Sequence, residues 1–223
     1  MMNEFSIYTL KSPELTVSLS NYGARLLTFE FAGTDCLYGP KTEAEVKADT
    51  CYCGSICGRV ANRIAGGRFE LDGAGYELAV NNGPNHLHGG LVGFSDRLWT
   101  VEHADESRVV MSLVSPDGEE GYPGTVSVRL EYALDGRRLT LNMTAETDAP
   151  TLLNLTNHAY WNLNGIGTVD THLLQVNASA YTPMVSNIPT GSIVPVDGTL
   201  YDLRRPAALG ERNAHEALSG GYD

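Results

Sequence analysis

The chain has 223 residues, a length that predicts one large domain over 1–223 rather than two small ones. Its formal net charge of −12 argues against partners held by phosphate attraction, so we expect no nucleic acid among its ligands. The N-terminus lacks a signal-peptide pattern and no run of about 18 apolar residues occurs, which predicts a cytoplasmic protein without a membrane partner.

Short segments with a period of two predict β-strands in the first half of the chain. The earliest are "LTVSLS" at 15–20 and "RLLTFEFAG" at 25–33. Apolar residues then alternate on both sides of "DGAG" at 72–75, which predicts a hairpin over 69–80. The glycines of that turn supply the positive φ angles that tight turns need.

The four cysteines are few for this length and lie close together. Three of them crowd into "CYCGSIC" at 51–57, and the fourth is Cys36. A disulfide framework is not expected from so few cysteines, and the spacing lacks the paired C-x-x-C pattern of a structural zinc site. Reduced thiols that pack in the interior or lie in loops are the favoured interpretation.

The second half of the chain continues the strand pattern. Strands are predicted at 99–104 and 108–115, followed by a long hairpin over 126–145 that turns at "LDG". Helical patterning is nearly absent, and only 205–220 could form a turn or two of helix. Many short strands with glycine-rich turns predict an all-β fold, an antiparallel sandwich or barrel.

Two of the six histidines, His86 and His88, raise the possibility of a metal site. They lie two residues apart in "NNGPNHLHGG", so on an extended chain both would face one side, as metal ligands of β-proteins do. Such a site would also need a carboxylate shortly after the second histidine, but Asp96 lies well downstream of it. We therefore expect no metal, and keep a metal-dependent β-protein as an alternative.

The stretch "NLTNHAYWNL" at 154–163 places a histidine among amides and aromatic rings. If it is one strand, then Asn154, Thr156, His158 and Tyr160 share a face that is rich in hydrogen-bonding groups and rings. Amides, imidazole and aromatic faces together suit a sugar. The alternative interpretation is that these amides satisfy a buried strand edge or a turn.

Four segments of this chain resemble successive signature segments of the aldose 1-epimerase family, the galactose mutarotases. They are "GRVANRIAGGRFELDG", "NNGPNHLHGGLVGFSDRLW", "PDGEEGYPG" and "LLNLTNHAYWNL", and the resemblance extends from "SNYGARLLTFEF" to the closing "SGGYD". It implies a large antiparallel β-sandwich of the galactose mutarotase type. It also implies an enzyme that interconverts the α and β anomers of aldohexoses without cofactor or metal.

The resemblance also assigns roles to residues. His158 is expected to be the general acid toward the ring oxygen of the sugar, and His88 is expected to share a hydrogen bond with that oxygen. Sugar-hydroxyl contacts are expected from Asn62 and Arg63. Tyr160 and Asp223 complete the set of expected substrate-binding residues, whereas Arg59 and Arg68 are expected to be structural or surface charges.

Asp223 is the last residue of the sequence, and it matches the aspartate of the family's "GYDH" segment. In the family, further strands follow and one carries the glutamate base. Glu119 and Glu120 do not match the position of that base and are expected to have structural or rim roles. The resemblance thus leads us to expect a sandwich that is incomplete at its C-terminal end.

Two properties would follow from such an incomplete sandwich. Unpaired strand edges would favour aggregation or pairing with another chain, and loss of the base would leave negligible mutarotase activity. A non-catalytic sugar-binding or regulatory module on the same fold is the alternative function. Monomer and homodimer are both compatible with the sequence.

Overall fold

The structure is a computed structural model that describes residues 4–215. These residues form two compact units that divide between Trp161 and Asn162. The single domain expected over 1–223 stays a prediction. Within the described range, neither helix has the length and apolar character needed to cross a membrane.

Among residues 4–161, the first unit contains sixteen strands and one α-helix. In chain order they are β1 (Ile7–Lys11), β2 (Leu15–Ser20), β3 (Arg25–Phe31), β4 (Thr34–Asp35), β5 (Leu37–Tyr38), α1 (Glu43–Ala48), β6 (Ile56–Cys57), β7 (Arg63–Ile64), β8 (Arg68–Leu71), β9 (Ala74–Glu77), β10 (His86–Leu87), β11 (Thr100–Ala104), β12 (Arg108–Ser115), β13 (Val126–Asp135), β14 (Arg138–Thr147), β15 (Thr156–Asn157) and β16 (Tyr160–Trp161).

The second unit is built from shorter elements. They are β17 (Leu173–Leu174), β18 (Ala180–Tyr181), β19 (Met184–Val185), β20 (Ile188–Pro189), β21 (Val194–Pro195), β22 (Ala207–Ala208) and α2 (Leu209–Asn213). Its strands pair as β17 with β22, β18 with β21, and β19 with β20. The helix at 209–213 falls within the segment for which the sequence predicts a turn or two of helix.

Two four-stranded antiparallel sheets share the hydrophobic core of the first unit. One has the order β1-β2-β3-β4 and the other the order β11-β12-β13-β14. Alternate residues of β13 are buried, as the period of two predicts, and they pack with apolar residues of β1, β2 and β12. The ladders between named strands of the described chain are antiparallel, which confirms the all-β antiparallel prediction.

Both predicted hairpins form, but their turns differ by a residue or two from the expected positions. In the first, Leu71 pairs with Ala74, so the turn is Asp72-Gly73 and not the whole of "DGAG". Both turn residues have positive φ, 51° and 79°, as a two-residue hairpin loop of type I′ requires. In the second hairpin Asp135 pairs with Arg138, which places the turn at 136–137.

The helix α1 was not expected from the pattern of apolar residues. Its N-terminus is a capping box, in which Thr42 and Glu45 satisfy each other's backbone N–H groups. An ion pair between Lys47 and Glu43, one turn apart, adds support on the exposed face. The sequence "T-x-x-E" carried this signal, although the helix is too short for an apolar period to show it.

Candidate active site

The stretch 154–163 forms two short strands and not one continuous strand. β15 pairs with β6 and β16 pairs with β5, and His158 belongs to neither strand. The strict alternation of one polar face therefore breaks at this histidine. Its side chain nevertheless lies beside that of Tyr160, with ring centroids 5.2 Å apart, so these two predicted site residues are neighbours.

Backbone hydrogen bonds hold His158 on both sides. Its N–H donates to the carbonyl oxygen of Ser55 at 2.8 Å, and its own carbonyl accepts from Gly54 N–H at 2.8 Å. The preceding Asn157 donates through Nδ2 to the carbonyl of Gly54 at 2.9 Å and to the hydroxyl of Tyr132 at 3.1 Å. Because Tyr132 is a core residue of β13, the sheet β11-β12-β13-β14 fixes the position of the histidine.

His88 is held by the segment that carries Asn62. The N–H of His88 donates to the carbonyl of Asn62 at 3.1 Å, and Asn62 N–H donates back to Nδ1 of His88 at 3.0 Å. Both residues have positive φ, 49° and 61°, which is uncommon for residues other than glycine. Such backbone strain clusters at functional sites, where the surrounding structure has to maintain it.

The hydrogen bond from Asn62 also selects the tautomer of His88. Since Nδ1 accepts a hydrogen bond from a backbone N–H, the neutral ring carries its own proton on Nε2. Nε2–H is thus the group that His88 would present to a ligand as a donor. The residue is 9 % exposed, so the ring is held in a largely desolvated position.

The two glycines after His88 are required by close contacts. A Cβ on Gly89, whose φ is +94°, would overlap the carbonyl oxygen of Gly58. A Cβ on Gly90 would overlap the carboxylate of Glu120. The sequence "HLHGG" therefore combines a cavity-lining histidine with a glycine at Gly89 where the backbone of Gly58 leaves no room for a side chain, and a second glycine at positive φ.

His88 and His158 line one open cavity of about 430 Å³. Their ring centroids are 5.0 Å apart and the ring planes are nearly perpendicular, at 84°. The volume lies in the range of small-molecule sites. The lining residues are Ala61, Asn62, His88, Asn154, Leu155, Thr156, Asn157, His158 and Ala159.

Tyr52 is a residue of this site that the sequence analysis did not identify. Its ring centroid lies 4.7 Å from that of His88 and 6.0 Å from that of His158. It occurs in "CYCGSIC", where the cysteines drew attention and the tyrosine did not. No local pattern identifies it, because its place depends on a loop that is folded by distant residues.

Arg63 and Asn62 have different positions relative to the cavity. Asn62 lines it, whereas the guanidinium of Arg63 donates to Asn82 Oδ1 at 2.9 Å and to Asn62 Oδ1 at 3.4 Å. Arg63 thus lies next to a lining residue without being one itself. Tyr160 also lies outside the lining set, and it is 43 % exposed.

His86 is a buried structural residue, which corrects the idea that it could pair with His88 as a metal ligand. Its Nδ1 contacts the carbonyl of Ala79 at 2.6 Å and its Nε2 contacts the hydroxyl of Tyr122 at 2.7 Å. Burial lowers the pKa of His86, so the neutral ring is favoured. Both ring nitrogens are therefore used inside the protein. Among residues 4–215, no three His, Cys, Asp or Glu side chains form a group that could hold a metal ion.

The charged residues that were expected to be structural have structural contacts. Arg59 is 2 % exposed, and its guanidinium donates to Ser115, to the carbonyl oxygens of Pro116 and Pro123, and to Thr151. Glu119 pairs with Arg97, and Arg68 pairs with Glu77 on the surface. The carboxylate of Glu120 accepts the N–H groups of Leu91 and Val92, both at 2.9 Å.

All four cysteines are free thiols. Burial is the main cause that raises the pKa of Cys53 to about 11 and that of Cys57 to about 12, so neither is a ready nucleophile. Asp223, the remaining residue that the sequence assigns to substrate binding, lies outside the described residues.

Comparison with known proteins gives a consistent result. The family model described as aldose 1-epimerase matches residues 6–223. A galactose mutarotase of Sus scrofa is 42 % identical over 97 % of this chain and 65 % of its own length. The galactose mutarotase of Homo sapiens is 39 % identical over 96 % of this chain and 64 % of its own length. An aldose 1-epimerase of Escherichia coli is 34 % identical over 85 % of this chain and 57 % of its own length. The chain thus spans less than two thirds of the length of these relatives.

Solved structures of related proteins have a similar fold. An aldose epimerase homologue from C. elegans superposes with a TM-score of 0.89 at 34 % identity, over 94 % of this chain and 67 % of that one. A galactose 1-epimerase from Lactobacillus acidophilus superposes with a TM-score of 0.87 at 27 % identity, over 96 % and 69 %. The mutarotase-type β-sandwich expected from the motifs is therefore confirmed.

Proposed function

We propose, on the premise that this chain belongs to the aldose 1-epimerase family, that it interconverts the α and β anomers of an aldohexose. The observation that carries the proposal is a pair of imidazoles with ring centroids 5.0 Å apart that line one open cavity. The remaining lining is supplied mainly by amide, hydroxyl and small apolar side chains, which suit a neutral polar ligand.

Anomer exchange requires a proton to be given to one oxygen of the sugar and taken from another. The ring oxygen receives a proton as its bond to C1 breaks, and the anomeric hydroxyl loses its proton as a carbonyl forms at C1. Rotation about the C1–C2 bond and the reverse proton transfers then close the ring on the other face. An imidazole has an unperturbed pKa of about 6.5, so it can give or take a proton near neutral pH.

In this proposal His158 donates the proton to the ring oxygen. His88 supports the same oxygen through Nε2–H, the donor that its tautomer provides. Asn62 contacts sugar hydroxyls from the cavity wall, and Arg63 and Tyr160 act from its edge. Asp223 is assigned to sugar hydroxyls by the motif resemblance alone.

Galactose or a related neutral aldohexose is the proposed substrate, because several relatives are named galactose mutarotase. Because the relatives are named as enzymes, catalysis is favoured over the alternative of a non-catalytic sugar-binding module. The proposal includes a role in hexose metabolism in the cytoplasm. The free thiols support the cytoplasmic location.

A binding experiment tests the proposal most simply. Titration calorimetry with D-galactose should show saturable binding to the 223-residue chain, and His158→Asn should weaken that binding about twofold to tenfold through the lost hydrogen bond. The matched control is His103→Asn, because His103 lies on the surface in a contact with Asp105. Absence of galactose binding, or equal binding by both variants, would contradict the proposal.

Polarimetry of freshly dissolved α-galactose measures the catalytic step separately. In a chain that relaxes the rotation faster than the buffer blank, we expect His158→Asn to lower the rate about 10²–10⁴-fold and His103→Asn to leave it unchanged. Equal rates for the two variants would contradict the proton transfer proposed for His158.

A further inference from the structure

Three rings form a mutual contact at the candidate active site. Tyr52 lies 4.7 Å from His88 and 6.0 Å from His158, and the two histidines are 5.0 Å from each other, measured between ring centroids. These distances lie in the range in which aromatic rings attract one another. Tyr52 thus contacts both of the proposed sugar-binding imidazoles.

The backbone at Tyr52 has an uncommon conformation. Its φ of +58° lies in the left-handed region, which costs energy for a tyrosine. The carbonyl of Tyr52 accepts the N–H of Ser55 at 3.0 Å and its hydroxyl at 2.8 Å. A strained conformation that is held by two hydrogen bonds indicates that the position of the ring is determined and not incidental.

A buried ion pair anchors the same loop to the core. The carboxylate of Asp49 accepts the N–H of Cys51 at 3.1 Å and of Cys53 at 2.9 Å, so it holds the residues on both sides of Tyr52. It also pairs with Arg25 at 2.5 Å, and the guanidinium of Arg25 donates to the carbonyl of Cys53 at 2.8 Å. Residues of a core strand therefore determine where the tyrosine lies.

Tyr52 reaches the cavity only through the histidines. It is half-buried and does not belong to the lining set. Burial is the main cause that raises its pKa, and the negative charge of Asp96 adds to the effect, while Arg63 opposes it. The phenol is therefore neutral, and its ring supplies packing without adding a charge beside the imidazoles.

We propose that Tyr52 is a positioning residue whose ring holds the imidazoles of His88 and His158 in their nearly perpendicular arrangement. This inference rests on the proposed function for its consequence, which is that the ring arrangement matters for hexose binding. The arrangement itself can be measured without any sugar, so the two ideas can fail separately.

The test is an NMR experiment on the imidazole nitrogens. Long-range ¹H–¹⁵N correlations of the sugar-free 223-residue chain report the tautomer and the titration of each histidine. In the wild type and in Tyr52→Phe we expect His88 to carry its proton on Nε2. In Tyr52→Leu, which removes the planar ring, we expect the correlations of both histidines to move toward those of a free imidazole with mixed tautomers.

Galactose titration of the same variants gives the functional measurement. We expect Tyr52→Leu to raise the Kd about fivefold to tenfold and Tyr52→Phe to restore wild-type affinity, since the phenyl ring keeps the contacts. Tyr76→Leu is the matched control, because Tyr76 stacks on Phe69 in the β8–β9 hairpin and contacts neither histidine. If Tyr52→Leu does not fold, Tyr52→Met takes its place in the same comparison.

Each result has a defined meaning. Unchanged histidine spectra in Tyr52→Leu, or equal changes in Tyr76→Leu, would overturn the proposal for Tyr52. Changed spectra without galactose binding by any variant, wild type included, would support the positioning role and would reject the proposed function. Changed spectra with unchanged galactose affinity would overturn the link from ring position to sugar binding.

Discussion

Replacing Asp49 by asparagine should destabilise the protein strongly, because it leaves a buried cation without its counter-charge. Arg25 is 1 % exposed and Asp49 is 9 % exposed at the side chain, with Nη1 and Oδ2 2.5 Å apart. Breaking a buried ion pair by removing one partner costs about 3–5 kcal/mol. Since the asparagine carbonyl can still accept hydrogen bonds, we expect the lower end, about 3 kcal/mol, or about 6–12 °C in Tm.

Urea unfolding followed by circular dichroism measures this change in the free energy of unfolding. The matched control is Glu43→Gln, which breaks the exposed pair with Lys47 on α1, where about 0.3–0.5 kcal/mol is expected. A loss in Asp49→Asn no larger than that of the control would refute the reasoning. It would mean that the buried guanidinium is adequately solvated by the carbonyl of Cys53.

Two further predictions concern the segment that ends in "HLHGG". Gly89→Ala should lower the free energy of unfolding by about 2–5 kcal/mol, because the new Cβ would overlap the carbonyl of Gly58 and the φ at this position is positive. The control Gly73→Ala, also at positive φ but in open space, should lower it by about 1 kcal/mol. Equal urea midpoints for the two variants would contradict this prediction. Because burial lowers the pKa of His86, the folded state binds fewer protons than the unfolded state, so stability should fall as pH drops below about 6.5. His86→Asn should be less stable at pH 7.5 and lose less on acidification, and parallel curves for variant and wild type from pH 7.5 to 5 would refute this.

The long strands could be predicted from the sequence because their pattern is local. In β13 the apolar residues recur at every second position over ten residues, and all of them are buried. The two-residue strands around the site have no such pattern. β15 pairs with β6, about a hundred positions earlier, so the break in the stretch 154–163 is set by a distant partner.

In the candidate site, too, local motifs identify some residues, whereas others are identified only by the folded structure. Motif resemblance identified His88, His158 and Asn62, and the structure brings these three to one cavity. It could not identify Tyr52, whose position depends on the ion pair between Asp49 and a core strand. The two-residue spacing of His86 and His88 predicted a common direction for their side chains, whereas the strand ends before His88, whose φ is positive.

The central claim is that the imidazole of His158 reaches the ring oxygen of a bound aldohexose. A crystal structure of the chain with D-galactose measures this directly. The account predicts the sugar in the cavity between His88 and His158, with its ring oxygen about 2.6–3.2 Å from a ring nitrogen of His158. A galactose bound elsewhere, or one whose ring oxygen points away from both imidazoles, would contradict it.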